Sequence, residues 1–161
     1  MPNYIIFDVL FLACCIYALW LGGAPERVGA AIYLMAVMFT QVEASGAASR
    51  FNSVEEGILV VDVAMLLALL ILTVRAERFW PIWVTALHAI STAAHAVKLA
   101  DPDVIRWAYA FALAFWSYPM LFLLALGTWN HQKRLTKYGV DKSWSTSSDR
   151  WDRRPPGGPI S

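Results

Sequence analysis

The chain has 161 residues, 58% of them hydrophobic and 16% charged, with a mean hydropathy of +0.50. A soluble domain averages about 45–50% apolar and about 25% charged residues, so the composition argues against a soluble enzyme and against a disordered chain. Two cysteines are too few for a disulfide-stapled secreted domain, and a net charge of +1 excludes a strongly basic nucleic-acid binder.

A bilayer-spanning helix needs roughly 17–25 apolar residues. Five segments approach this length. The first, residues 4–22, is uncharged from Val9 to Pro25 and ends at Gly22-Gly23-Ala24-Pro25. It lacks a basic leader and carries Asp8, so it reads as a retained helix rather than a cleaved signal. Cys14 and Cys15 are adjacent and therefore poorly placed to bridge each other. They read as small buried hydrophobes.

The second segment, residues 28–46, turns polar at Gln41, Glu43 and Ser45. It is the weakest of the five. Ser53 and Glu56 have the spacing of a capping box for the third segment, residues 57–74, which is apolar except for Asp62. A tight turn through Arg75-Ala76-Glu77-Arg78 leads to Trp80-Pro81 and the fourth segment, residues 80–99. Asp101-Pro102-Asp103 forms the next turn. The fifth segment, residues 106–129, contains Pro119, which removes a backbone donor and predicts a kink.

The fold class expected is therefore all-α: a polytopic transmembrane bundle of five spans within residues 1–132, with the fourth helix central. If residues 28–46 do not cross, the count falls to four and the N-terminus changes sides. With five spans, one face of the membrane collects a net charge of +5 and the other −4. The positive side is cytoplasmic by the positive-inside rule, so the N-terminus lies outside and the C-terminus inside. Trp20, Phe79, Trp80, Trp83 and Trp129 form the expected inner aromatic belt. Residues 133–161 are basic and Pro-Gly-rich and are expected to remain an unfolded cytoplasmic tail. Trp144 and Trp151, within it, are candidates to dock on the membrane surface or on a partner.

The fourth segment carries the most chemistry. His88, Ser91, Thr92 and His95 fall at i, i+3, i+4 and i+7, on one helical face. Lipid cannot satisfy such a stripe, so it should face the interior. Counting about 1.5 Å per residue places His95 at the depth of Asp62, and the two are predicted to face each other. Asp8, Glu43 and Lys98 are expected to complete an outer polar cluster with them. His95, Asp62 and Glu43 are the candidate metal ligands. His88 and His95 stand about 10 Å apart along the helix, too far to share one ion. Alanines around the histidines leave room for a tetrapyrrole pigment. Trp116, Tyr118 and Pro119 are expected to shape a lipid, quinone or pigment pocket. The same α4 stripe also suits plain helix packing.

No P-loop, Ser-His-Asp arrangement or dinucleotide fingerprint is present, and no catalytic constellation points to an enzyme. The overall pattern resembles small bacterial inner-membrane proteins, a likeness that carries no function with it. The leading expectation is a non-enzymatic accessory or assembly subunit, with the bilayer and other membrane subunits as partners and no nucleic acid. The alternatives are a ligand-binding protein (metal, pigment or quinone) using His95 and Asp62, or a proton-coupled carrier.

Overall fold

The computed structural model describes the backbone of residues 2–46, 51–100, 106–141 and 143–144, and the side chains of residues 5–42, 57–95, 97, 115–141 and 143–144. The chain forms five helices: α1 (Pro2–Leu21), α2 (Ala24–Gly46), α3 (Phe51–Arg75), α4 (Trp80–Ala100) and α5 (Arg106–Tyr138). Among the described residues there is no strand, only an isolated antiparallel bridge between Ala76 and Trp144.

Each helix packs on its sequence neighbours, and α5 returns to α1, so the five close into a ring. α2 and α5 also touch across the interior. α4 lies against α3 and α5 alone among these substantial contacts, so it is a member of the ring and not its centre. By the same contacts, α2 and α5 each meet three other helices, one more than α1, α3 and α4 do.

Several boundaries differ from expectation for clear reasons. α2 begins at Ala24, because Pro25 is tolerated in a first turn where its missing N–H has no partner to lose. α3 begins at Phe51, which puts Ser53 inside the helix and not at its cap. α5 runs through Pro119 and continues to Tyr138, 33 residues or about 50 Å. The residues after Trp129 are mostly good helix formers, and Gly139, with φ 71°, ends the helix in the left-handed conformation that glycine adopts without strain. Its N–H caps the Leu135 carbonyl at 2.9 Å. The described tail residues, 133–141 and 143–144, extend α5 and turn back at Gly139, and Trp144 docks on the α3–α4 turn through its bridge to Ala76. Trp151 and the rest of the tail beyond 144, like the turn at 101–103, lie outside the described residues.

The exterior is apolar and the interior partly polar. Phe79 is 83% exposed, Trp20 80% and Val74 78%, while Glu26, His88, Thr92, Thr128 and His131 are buried. Among the described residues, one helix stretch is long and apolar enough to cross a membrane, Gly57–Arg75, and little of it is buried in the bundle. Ile5–Leu21 is a shorter apolar helix.

Trp80 is the keystone of the interior. It is 6% exposed, not a belt residue, and its indole lies between two helices that approach only because glycines face it. A Cβ on Gly29 would stand 2.6 Å from Trp80 Cη2, and one on Gly127 2.6 Å from Trp80 Cδ1. Leu69, Leu72, Val84 and Leu124 complete an apolar layer with it. Cys15 is buried and Cys14 half-buried, neither in a disulfide.

Candidate functional site

Two polar regions flank that apolar layer. The first is a cavity of about 220 Å³ in the ring, to which all five helices contribute. Phe7 and Phe11 come from α1, Tyr33 and Thr40 from α2, Asp62 and Met65 from α3, His88, Ser91 and His95 from α4, and Trp116 from α5.

Asp62 organises one wall. Its carboxylate meets His95, with Oδ2 3.0 Å from Nε2, so the two residues face each other as the spacing predicted. His88 Nε2 stands 3.0 Å from the Asp62 backbone oxygen. A carbonyl can only accept, so His88 donates through Nε2. One residue reaches both histidines, although they are about 10 Å apart along α4, because a helical carbonyl points toward the C-terminus while a side chain leans toward the N-terminus. The His95 approach lacks hydrogen-bond alignment, and Oδ2 of Asp62 is left buried with unused acceptor capacity. Thr92 donates to the His88 carbonyl (2.9 Å) and Tyr33 to the Met120 carbonyl at 3.3 Å, while Thr73 and Thr85 share a 2.8 Å bond further along α3 and α4, beside the apolar layer.

The other expected members divide. Trp116 lines the cavity. Tyr118 and Pro119 do not; with Phe115 and Phe122 they border a separate depression, and Tyr118 packs edge-on against Phe7 at 5.3 Å. Asp8 is exposed. The side chains of Glu43 and Lys98 lie outside the described residues. Among the described residues no group of three His, Cys, Asp or Glu is placed to hold a metal ion.

The second region, at the opposite end of the apolar layer, was not foreseen. Glu26 is fully buried, and its Oε1 accepts from Trp80 Nε1 at 2.9 Å. Arg78, with a side chain only 6% exposed, stands 3.6 Å from the same oxygen. Its other end meets Asp141 Oδ2 at 2.6 Å. Asp141 also receives His131 at 2.5 Å and Arg134 at 3.0 Å. Gly23 makes room, since a Cβ there would stand within 3 Å of both His131 and Glu26. Burial pushes the Asp141 carboxyl up, but the His131 hydrogen bond and the charges of Arg78 and Arg134 outweigh it and hold its pKa below the ordinary value.

Arg78, Glu26 and Asp141 sit in loop and helix-end positions, where sequence reading counts them as topology charges. A signal did exist on α5: Leu124, Thr128 and His131 share the i, i+4, i+7 spacing that marks the α4 stripe.

No protein-family model, no curated protein and no solved structure matches the chain. The functional reading therefore rests on the chemistry of these two regions.

Proposed function

We propose that the chain is a five-span integral protein of a bacterial-type inner membrane, N-terminus outside and C-terminus cytoplasmic, that binds a small ligand in the five-helix cavity. Its inside-out distribution supports membrane insertion, since a bundle in lipid hides polar groups and exposes apolar ones. The exposed Trp20, Phe79, Trp83 and Trp129 cluster at the basic end, where an interfacial belt is expected. Burying Asp62, His88 and His95 inside a membrane bundle is costly, which marks intramembrane ionisable residues as functional.

The observation that carries the ligand reading is Asp62 Oδ2, a buried acceptor with unused capacity on the wall of a cavity. Beside it stand Phe7, Phe11 and Trp116, apolar and aromatic surfaces. This combination suits a compound with one cationic or hydrogen-bond-donating group and a single ring. At about 220 Å³ the cavity is below the ≈300–1,000 Å³ of common ligand sites and is too small for a tetrapyrrole. The apolar layer around Trp80 separates the cavity from the basic end, an arrangement that favours binding over carriage through the bundle.

The test is thermal unfolding of the solubilised protein against a panel of single-ring amines and quinones. A subset of amines should raise the melting temperature in wild type and leave Asp62→Asn unmoved. An equal rise in both proteins, or no rise with any compound, refutes the reading.

A second reading, the accessory subunit, draws support from a different place. Val28, Ile32, Met35, Phe39, Val60 and Ala64 line an apolar groove of about 660 Å³ between α2 and α3, open to the exterior and suited to a partner's helix. Extraction in mild detergent should then recover stoichiometric partners. A lone monomer rejects this reading and leaves the first intact.

A further inference from the structure

A third concavity, of about 240 Å³, lies between the start of α4 and the C-terminal half of α5, at the basic end of the bundle. Arg78 and Arg134 line it together with Asn130, Trp83 and Phe79. Trp83 and Phe79 are largely exposed, so it opens at the rim and not into the interior.

Two of the polar groups here, Arg134 and Asn130, have spare donors. Arg78, more than nine-tenths buried, contributes charge and not a free donor: its Nε faces Glu26 Oε1 at 3.6 Å, Nη2 donates to Asp141 and Nη1 donates to the Glu77 carbonyl at 3.3 Å. Arg134 uses Nε on Asp141, and its terminal nitrogens make no hydrogen bond to a described residue. Asn130 makes none to a described residue either. Guanidinium pairs with an adjacent amide suit phosphate oxygens, which accept several such bonds at once. The start of α4 adds the positive end of a helix dipole.

Two acids oppose this. Asp141 lies against both arginines and Glu26 sits behind Trp80. They hold the guanidiniums in place without neutralising the end as a whole. Arg27, Arg75, Arg78, Lys133, Arg134 and Lys137 outnumber Glu26, Glu77 and Asp141 there. The apolar remainder of the wall, Leu123 and Leu126, runs along α5 away from the basic end, as an acyl chain would.

We infer that this rim pocket binds the phosphodiester headgroup of an anionic phospholipid, with Arg134 and Asn130 on the phosphate, the charge of Arg78 behind them, and Trp83 and Leu126 beside the chain. The inference rests on the membrane reading above, with the basic end at the cytoplasmic face.

The test uses the full chain, first checked for resistance to carbonate extraction of membranes. Native mass spectrometry then follows retention of phosphatidylglycerol against phosphatidylcholine, offered at equal concentration. Wild type should keep one phosphatidylglycerol in preference, and Arg134→Gln should reduce that preference about fivefold. Lys133→Gln is the control, because Lys133 lies over the Trp129 ring at 3.6 Å and outside the pocket. Its preference should stay at the wild-type level. Equal losses in the two variants would reduce the effect to general surface attraction and overturn the proposal. So would displacement of the lipid by millimolar inorganic phosphate, which would show a site for the free anion. A carbonate-resistant protein with no lipid preference overturns this proposal alone, whereas extraction by carbonate overturns the membrane reading with it. Arg134→Lys, which keeps the charge, should restore most of the preference if the arginine acts on the phosphate and not on folding.

Discussion

The two polar regions of this bundle are built from similar parts and differ in how closely they are filled. Each has a carboxylate, a histidine and aromatic rings buried between helices. At the basic end, Glu26, Arg78, His131 and Asp141 close on one another as a net of opposite charges and Trp80 fills the space left by Gly29 and Gly127, although Glu26 Oε2 and Arg78 Nε make no hydrogen bond. In the five-helix cavity, Asp62 and two histidines meet across α3 and α4 but leave a void beside an acceptor with capacity to spare. Each region keeps a carboxylate oxygen without a hydrogen bond, so what separates them is space: the basic end is filled by Trp80 and crossed by ion pairs, whereas the Asp62 carboxylate borders an open cavity. On the proposed reading, this contrast makes the first region the clamp and the second the binding site.

The contrast breaks most visibly at Glu26. Glu26→Ala strands Arg78 and the Trp80 N–H in a closed interior, and losing one partner of a buried ion pair costs about 3–5 kcal/mol. A large fall in melting temperature is expected, with ligand-dependent stabilisation still measurable at lower temperature. Gly127→Ala comes next. Its Cβ would meet a packed indole and not a flexible tip, so the ring or α5 must shift, at about 1–3 kcal/mol. Gly29→Ala acts on the far edge of the same ring and should behave alike. Chemical denaturation in detergent measures both.

Asp62→Asn should be milder for the fold and decisive for binding. Buried polar contacts in membrane bundles are worth about 0.6–2 kcal/mol, so thermal unfolding should change little while the ligand response disappears. A severe loss of stability would instead make the cavity a second structural clamp and dissolve the distinction.

The smallest expected effect concerns pH. Asp141 has its pKa lowered in the folded protein, so its contribution is complete above the ordinary carboxylate value of about 3.9. That contribution is lost as pH falls through the lowered folded value. Protection from hydrogen exchange at Gly139 and Trp144, taken relative to the intrinsic rate at each pH, should therefore hold down to about pH 4 and fall in more acid solution. Asp141→Asn should show fast exchange at neutral pH as well.

The difference between the regions also explains what could be read in advance. Asp62 is the one charge in an otherwise apolar run, and His88, Ser91, Thr92 and His95 repeat at helical spacing, so periodicity and depth counting bring them together. The basic end defeats the same method. Arg78 and Glu26 flank turns, where charge is the ordinary condition, and Asp141 reaches the cluster only because α5 overruns its expected end and Gly139 turns the chain back. Nothing periodic records that return. Trp80 misleads for a related reason. Beside Pro81 at a helix start it looks interfacial, and only the glycines at 29 and 127, distant in sequence, reveal the slot it fills. The five helices themselves were legible because their hydrophobic lengths and breaker residues agree.

The most direct test of the functional assignment is native mass spectrometry of the protein released from its own membranes, recording every non-protein mass it carries. One small molecule should be bound per chain, absent from Asp62→Asn and retained in Lys133→Gln. A wild-type protein that carries no such molecule, or an Asp62→Asn variant that carries it equally, would contradict the assignment of the cavity as a binding site.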